Sequence, residues 1–319
     1  MLSLRDQWIW DFWLTQSDDL WHIYFLQADK SLGNPELRHW NVSQGHATSR
    51  DLVNWELLGT SLRPQASPAW DDCTTWTGSV VQDEAKLWHL FYTGTCRAED
   101  GLKQRIGHAT STDMHHWARV GSGLALDIDV NHYEEYTPGH WHDRAMRDPW
   151  VMRDPEGDGW LMYFTARVAG VAELNAGGAI GLARSSDLVH WTQEAAVFQG
   201  DFGQLEVPQV FQVGALWYCV FCNAANHWSQ GYAASYPGTP VTGVHYLVAE
   251  HHLGPWRVAP GPFLTGRLPA QRYAGKIVDT GKGLALMAFL HDDENGQFIG
   301  EIMDPIPLSL DSQGLFVPV

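Results

Sequence analysis

Apolar and polar positions along this chain follow a strand rhythm, and the rhythm recurs. An aromatic-rich strand core appears at Trp21–Phe25, Trp88–Tyr92, Trp160–Phe164 and Trp217–Phe221, with a degenerate fifth copy at Leu284–Phe289. Short apolar runs bounded by turn residues read as buried strands. Copies set 57 to 72 residues apart are long enough for one four-stranded sheet each. Repetition of such a unit predicts an all-β, five-bladed β-propeller.

A second repeat falls between the first. Gly45-His-Ala-Thr-Ser-Arg-Asp51-Leu-Val-Asn-Trp55 returns as Gly107-His-Ala-Thr-Ser-Thr-Asp113-Met-His-His-Trp117 and as Gly181-Leu-Ala-Arg-Ser-Ser-Asp187-Leu-Val-His-Trp191. This predicts a strand, a turn closed by the Asp carboxylate, and a Trp returning to pack on its blade. Repetition in three blades assigns these Asp residues, and His46 and His108, to structure.

The five units fill roughly residues 5 to 305, with no linker between them. We therefore expect residues 1–319 to form a single domain, with no C-terminal β-sandwich. The 20 basic and 37 acidic residues leave a formal net charge of −17. That balance disfavours nucleic acid and anionic membranes as partners, because both reward basic patches. It suits a small neutral ligand, and 17 Trp residues suit a sugar. Without a leader-like h-region or a membrane-length apolar run, the expected location is cytoplasmic. No cofactor or metal is expected. Cys219 and Cys222 lie three apart within one strand, so they face opposite sides of the sheet and are read as structural thiols.

Ten to twelve residues before each strand anchor stand Asp11, Trp76, Asp148, Glu206 and Arg272. Equivalent positions on successive blades converge on the propeller axis, so Asp11, Asp148 and Glu206 are expected to meet in one pocket. Asp11 lies in the aromatic run Trp8-Ile-Trp10-Asp11-Phe-Trp13, where burial of an acid is costly without a purpose. Asp148 lies in Arg147-Asp148-Pro149, and Glu206 opens Glu206-Val-Pro208. Three carboxylates around an aromatic pocket suit glycosidic-bond cleavage. One attacks or activates water, a second protonates the leaving oxygen, and a third stabilises charge or holds hydroxyls.

These motifs resemble those of the five-bladed propeller enzymes of the invertase and levansucrase clan, which act on fructosides. Trp10-Asp11-Phe12-Trp13 is similar to the levansucrase first motif. Trp76-Thr77-Gly78-Ser79 is similar to the clan's Trp-Ser-Gly-Ser, and Arg147-Asp148-Pro149 matches its Arg-Asp-Pro. Glu206-Val207-Pro208 is similar to Glu-Arg-Pro, with Val in place of Arg. The resemblance implies a retaining β-fructofuranosidase, or a fructosyltransferase. It implies Asp11 as nucleophile, Glu206 as acid/base and Asp148 as transition-state stabiliser. Trp10, Trp76, Ser79 and Arg147 would line the sugar subsite, and Arg272 and Tyr273 would contact the sugar or leaving group.

Two alternatives stay open at this level: an inverting arabinanase- or xylosidase-type glycosidase, and a propeller that only binds carbohydrate. Other segments carry weaker expectations. The Asn131–Asp143 loop reads as pocket rim, surface loop or a metal site through His140 and His142. Asp71 and Asp72 read as rim residues, and His291–Gly296 as a solvated hairpin turn.

Overall fold

The computed structural model describes residues Met1–Val319 and holds five antiparallel sheets arranged as blades. Blade 1 comprises β1 (Gln7–Ser17), β2 (Leu20–Asp29), β3 (Ser43–Ser49) and β4 (Glu56–Leu62). Blade 2 comprises β5 (Thr74–Gln82), β6 (Trp88–Thr95), β7 (Arg105–Ser111) and β8 (Ala118–Leu126). Blade 3 comprises β9 (Met146–Arg153), β10 (Trp160–Arg167), β11 (Gly178–Ser185) and β12 (Thr192–Gln199). Blade 4 has β13 (Glu206–Val213), β14 (Leu216–Asn223) and β15 (Thr242–Ala249), and its outer edge is split into β16 (Arg257–Val258) and β17 (Thr265–Arg267). Blade 5 has β18 (Arg272–Asp279) and β19 (Leu284–Asp292), followed by β20 (Phe298–Ile302) and β21 (Ile306–Pro307), which both pair with β19. The ring closes where Leu2 and Ile302 exchange two 2.9 Å backbone hydrogen bonds.

The aromatic strand cores are the second strands of their blades, β2, β6, β10, β14 and β19, and they are almost wholly buried. The Gly that opens each Ser-x-Asp repeat is required by this packing. A Cβ on Gly45, Gly107 or Gly181 would come within 2.2–2.3 Å of the ring of Phe25, Tyr92 or Phe164. The Asp of the repeat then closes the turn. Asp51 accepts from the N–H groups of Val53 and Asn54, Asp113 from those of His115 and His116, and Asp187 from those of Val189 and His190, all at 2.8–2.9 Å. The Trp residues pack between blades, Trp117 edge-on to Tyr24 of blade 1 and Trp191 edge-on to Phe91 of blade 2. His46 and His108 are buried in imidazole stacks with His22 and His89. All four cysteines are unpaired thiols. Cys219 packs in the core of blades 3 and 4, and Cys222 in the separate core that includes blades 1 and 5. No helix is long and apolar enough to cross a membrane.

Candidate active site

Every innermost strand breaks register near the same end of the propeller. The irregularities leave Asp11 unpaired on β1, Trp76 and Thr77 on β5, and Asp148 and Pro149 on β9. They leave Val207 and Pro208 unpaired on β13, and Ala274 and Gly275 on β18. Each inner strand thus carries one residue more than its partner, which is a β-bulge, a device that re-aims side chains beside active sites. The first bulge residue is left-handed in three blades, with φ of 58° at Asp148, 54° at Val207 and 46° at Ala274. Positive φ at a β-branched residue such as Val207 costs on the order of 1–3 kcal/mol, and such strain persists where the surrounding structure over-determines it.

Above the bulges lies a cavity of about 640 Å³. Asp11, Asp148 and Glu206 all line it, together with Trp10, Trp76, Arg147 and Tyr273. Asp148 is held on both oxygens. Thr77 donates to Oδ1, while Thr165 Oγ1 (2.9 Å) and the Val207 N–H (3.1 Å) donate to Oδ2. Arg147 Nη2 donates to Glu206 Oε1 at 2.7 Å and to Gln204 Oε1 at 2.7 Å, and the Tyr273 hydroxyl donates to Glu206 Oε2. Arg147, Glu206 and Tyr273 each stand one residue before the bulge of their own strand, so three equivalent positions on blades 3, 4 and 5 form one hydrogen-bonded arc.

The electrostatics differ across the three acids. Burial, reinforced by the charges of Asp148 and Glu206, pushes Asp11 up to about 7. Burial alone would also raise Glu206. The Arg147 charge and the hydrogen bonds from Tyr273 and Arg147 outweigh it, holding Glu206 below the usual carboxylate value. Lys276 lies beneath the site, its Nζ donating to the Val207 carbonyl at 2.8 Å, and burial pushes it down to about 8. Between Asp11 and Glu206, the proton kept to higher pH is therefore the one on Asp11.

Several sequence expectations are corrected. Ser79 is 3 % exposed, and its Oγ accepts the Val151 N–H at 3.0 Å, so it fastens blade 2 to blade 3 and does not reach the cavity. Arg272 donates to the Val319 carbonyl and does not line the cavity; neighbouring strand residues point to opposite faces, and Tyr273 is the one turned inward. Asp71 is fully buried against Arg119 (2.7 Å) and the Tyr92 hydroxyl, away from the rim, and Asp72 caps the turn at Arg97. His291 and Asp292 do not belong to a solvated turn. They extend β19 to the cavity wall, and the turn itself is closed by Asp293. In the Asn131–Asp143 loop, His142 and Asp143 line the cavity and His142 stacks on His227, whereas His140 pairs outside it with Glu134.

Other lining residues carried no sequence signal of their own. Arg38 and His39 come from the short helical segment Pro35–Trp40, outside the repeat, Gln104 comes from a loop, and His227 ends the short helical turn Ala225–His227. Thr77 belongs to the Trp76–Ser79 motif, but its bond to Asp148 comes from its place in the bulge.

A five-bladed propeller with three carboxylates from three blades in one axial cavity defines a propeller of the glycoside-hydrolase type. Residues 12–253 match the glycosyl hydrolases family 32 N-terminal domain, and the chain belongs to that family. Among its relatives is a sucrose-6-phosphate hydrolase from Escherichia coli, 29 % identical over 213 residues, covering 64 % of this chain and 39 % of that protein. An invertase from Schizosaccharomyces pombe is 25 % identical over 301 residues, covering 90 % of this chain and 45 % of the relative. The chain spans less than half the length of these curated relatives. Among solved structures, an inulosucrase from Halalkalicoccus jeotgali bound to kestose superposes with a TM-score of 0.78 at 19 % identity, covering 97 % of this chain and 86 % of the other. A levansucrase from Gluconacetobacter diazotrophicus gives 0.76 at 17 % identity, covering 99 % and 81 %. These structural likenesses share the propeller fold.

Proposed function

We propose that this protein cleaves β-fructofuranosides, such as sucrose or a short fructo-oligosaccharide, by double displacement. The observation that carries the reading is the meeting of Asp11, Asp148 and Glu206 in one cavity, with Arg147 bonded to Glu206 beside Asp148. Family membership and the names of the relatives support the sugar.

In the first step, an Asp11 carboxylate oxygen bonds to the anomeric carbon of the fructosyl unit as the bond to the leaving oxygen breaks. Glu206 gives its proton to that oxygen. Asp148, fixed by Thr77, Thr165 and the Val207 N–H, faces the oxocarbenium-like transition state and holds ring hydroxyls. In the second step, Glu206 takes a proton from water, whose oxygen bonds to the anomeric carbon and releases Asp11. With a sugar hydroxyl in place of water, the same step transfers the fructosyl unit.

The raised Asp11 and lowered Glu206 favour the shared proton on Asp11, whereas the first step starts with it on Glu206. Asp11 and Glu206 titrate together, so the competent form is the singly protonated pair. A product assay on sucrose, inulin, levan and arabino-oligosaccharides tests the reading. Fructose release from at least one of the first three supports it, and release confined to the arabinosides overturns it.

A further inference from the structure

At the end of the propeller opposite the cavity, two turns from neighbouring blades meet. One is the β9–β10 turn of blade 3, carrying Asp154 and Glu156; the other follows β15 of blade 4, carrying His251 and His252. One donor atom each from Glu156, His251 and His252 lies within 4.8 Å of the others. His252 is 2 % exposed, and its Nε2 is buried without a hydrogen-bond partner. Orphaned buried nitrogens are rare and costly, and this one sits 3.7 Å from Asp154 Oδ1.

The donors are held in place. The Tyr163 hydroxyl donates to the His252 carbonyl at 2.9 Å, and Arg184 fixes Asp154 Oδ2 at 2.6 Å. His251 Nε2 already meets Glu156 Oε1 at 2.8 Å. Its Nδ1 accepts the Leu253 N–H at 3.2 Å, so Nε2 carries the hydrogen. Ion entry would move that hydrogen to Nδ1 and displace the Leu253 N–H, a modest cost at a half-buried turn.

We propose that His251, His252 and Glu156 form a structural site for a divalent transition ion of the zinc type, with Asp154 beside it, pinning blade 3 to blade 4. Two imidazoles and carboxylate oxygens suit such an ion better than calcium or magnesium, which prefer all-oxygen sets. None of these residues lines the catalytic cavity, so the site is separate from the proposed hydrolysis.

The test uses the full chain stripped with a chelator and titrated with zinc chloride by calorimetry, with melting temperature read in parallel. One equivalent is expected to bind and to raise the melting temperature by several degrees at saturation. Glu156→Gln and His251→Gln, both at accessible positions, are expected to melt like the stripped wild type without zinc and to bind zinc at least tenfold more weakly. No saturable uptake by the wild type, or uptake as tight in both variants, overturns the site.

Discussion

Arg147 Nη2 stands 2.7 Å from Glu206 Oε1, so the cation adjoining one candidate acid carries the charge of another on the next blade. The contact joins the neighbouring inner strands β9 and β13 and biases how Asp11 and Glu206 share a proton. Replacing Arg147 by Met removes the charge that outweighs burial at Glu206. Glu206 then rises, and the acid limb of kcat/KM moves to higher pH while kcat falls at least a hundredfold. An unchanged acid limb would show that Arg147 does not tune Glu206.

The pH dependence follows from counting protons on the set. Above about 7 the last proton leaves, no acid remains, and activity falls as pH rises. Below the ordinary carboxylate range Glu206 is protonated as well as Asp11, and activity falls again. A bell-shaped kcat/KM profile with its basic limb near 7 is expected. Activity that holds level from pH 6 to 9 would contradict this ordering.

Asp11 also links function to stability. Its folded-state value is raised, so the stability it contributes is present at low pH and is lost as pH rises through about 7. Asp11→Asn should abolish turnover by several orders of magnitude. It should also raise the melting temperature by a few degrees at pH 8 and by progressively less as pH falls toward 4. Equal melting of the two proteins at pH 8 would argue that Asp11 bears no such burden.

Buried imidazoles act in the opposite sense. Burial lowers His39 and His245 to about 4 and His46 and His108 to about 3. Folded-state values below the unfolded value give stability that is intact above about 6.5 and lost as pH falls. Since these groups outnumber Asp11, the melting temperature should drop between pH 7 and pH 4. A flat melting profile over that range would contradict it.

Charge also bears on the leaving group. The cavity wall includes Glu36, Asp143 and Asp292 besides the three acids, and its two arginines already face carboxylates. A phosphorylated sugar would meet net negative charge. Sucrose is therefore expected to exceed sucrose 6-phosphate in kcat/KM by at least tenfold, and the reverse preference would show an anion subsite in the wall.

Much of this arrangement is legible in the sequence. The aromatic anchors mark the second strand of every blade, and stepping back from them reaches Asp11, Asp148 and Glu206. The step is only approximate, however, because each inner strand carries an extra residue. Glu206 aligns with Arg147 and Tyr273, not with Asp148, whose counterparts are Val207 and Ala274. A bulge shifts the alternation of side chains between faces, so counting assigned Arg272 to the cavity, and the resemblance assigned Ser79, when both face elsewhere. Arg38, His142 and His227 lie outside the repeat, where nothing periodic marks them. Lys276 acts from beneath the site through the Val207 carbonyl, and no local pattern signals that reach.

The most direct test of the account uses Glu206→Ala with fructosyl fluoride, whose leaving group needs no acid. Asp11 should still form its bond to the anomeric carbon, and loss of the general base should slow release. Mass spectrometry is then expected to find one fructosyl unit on the peptide containing Asp11, absent when Asp11→Asn is added. A label on any other residue, or no label while fluoride is released, would contradict Asp11 as nucleophile.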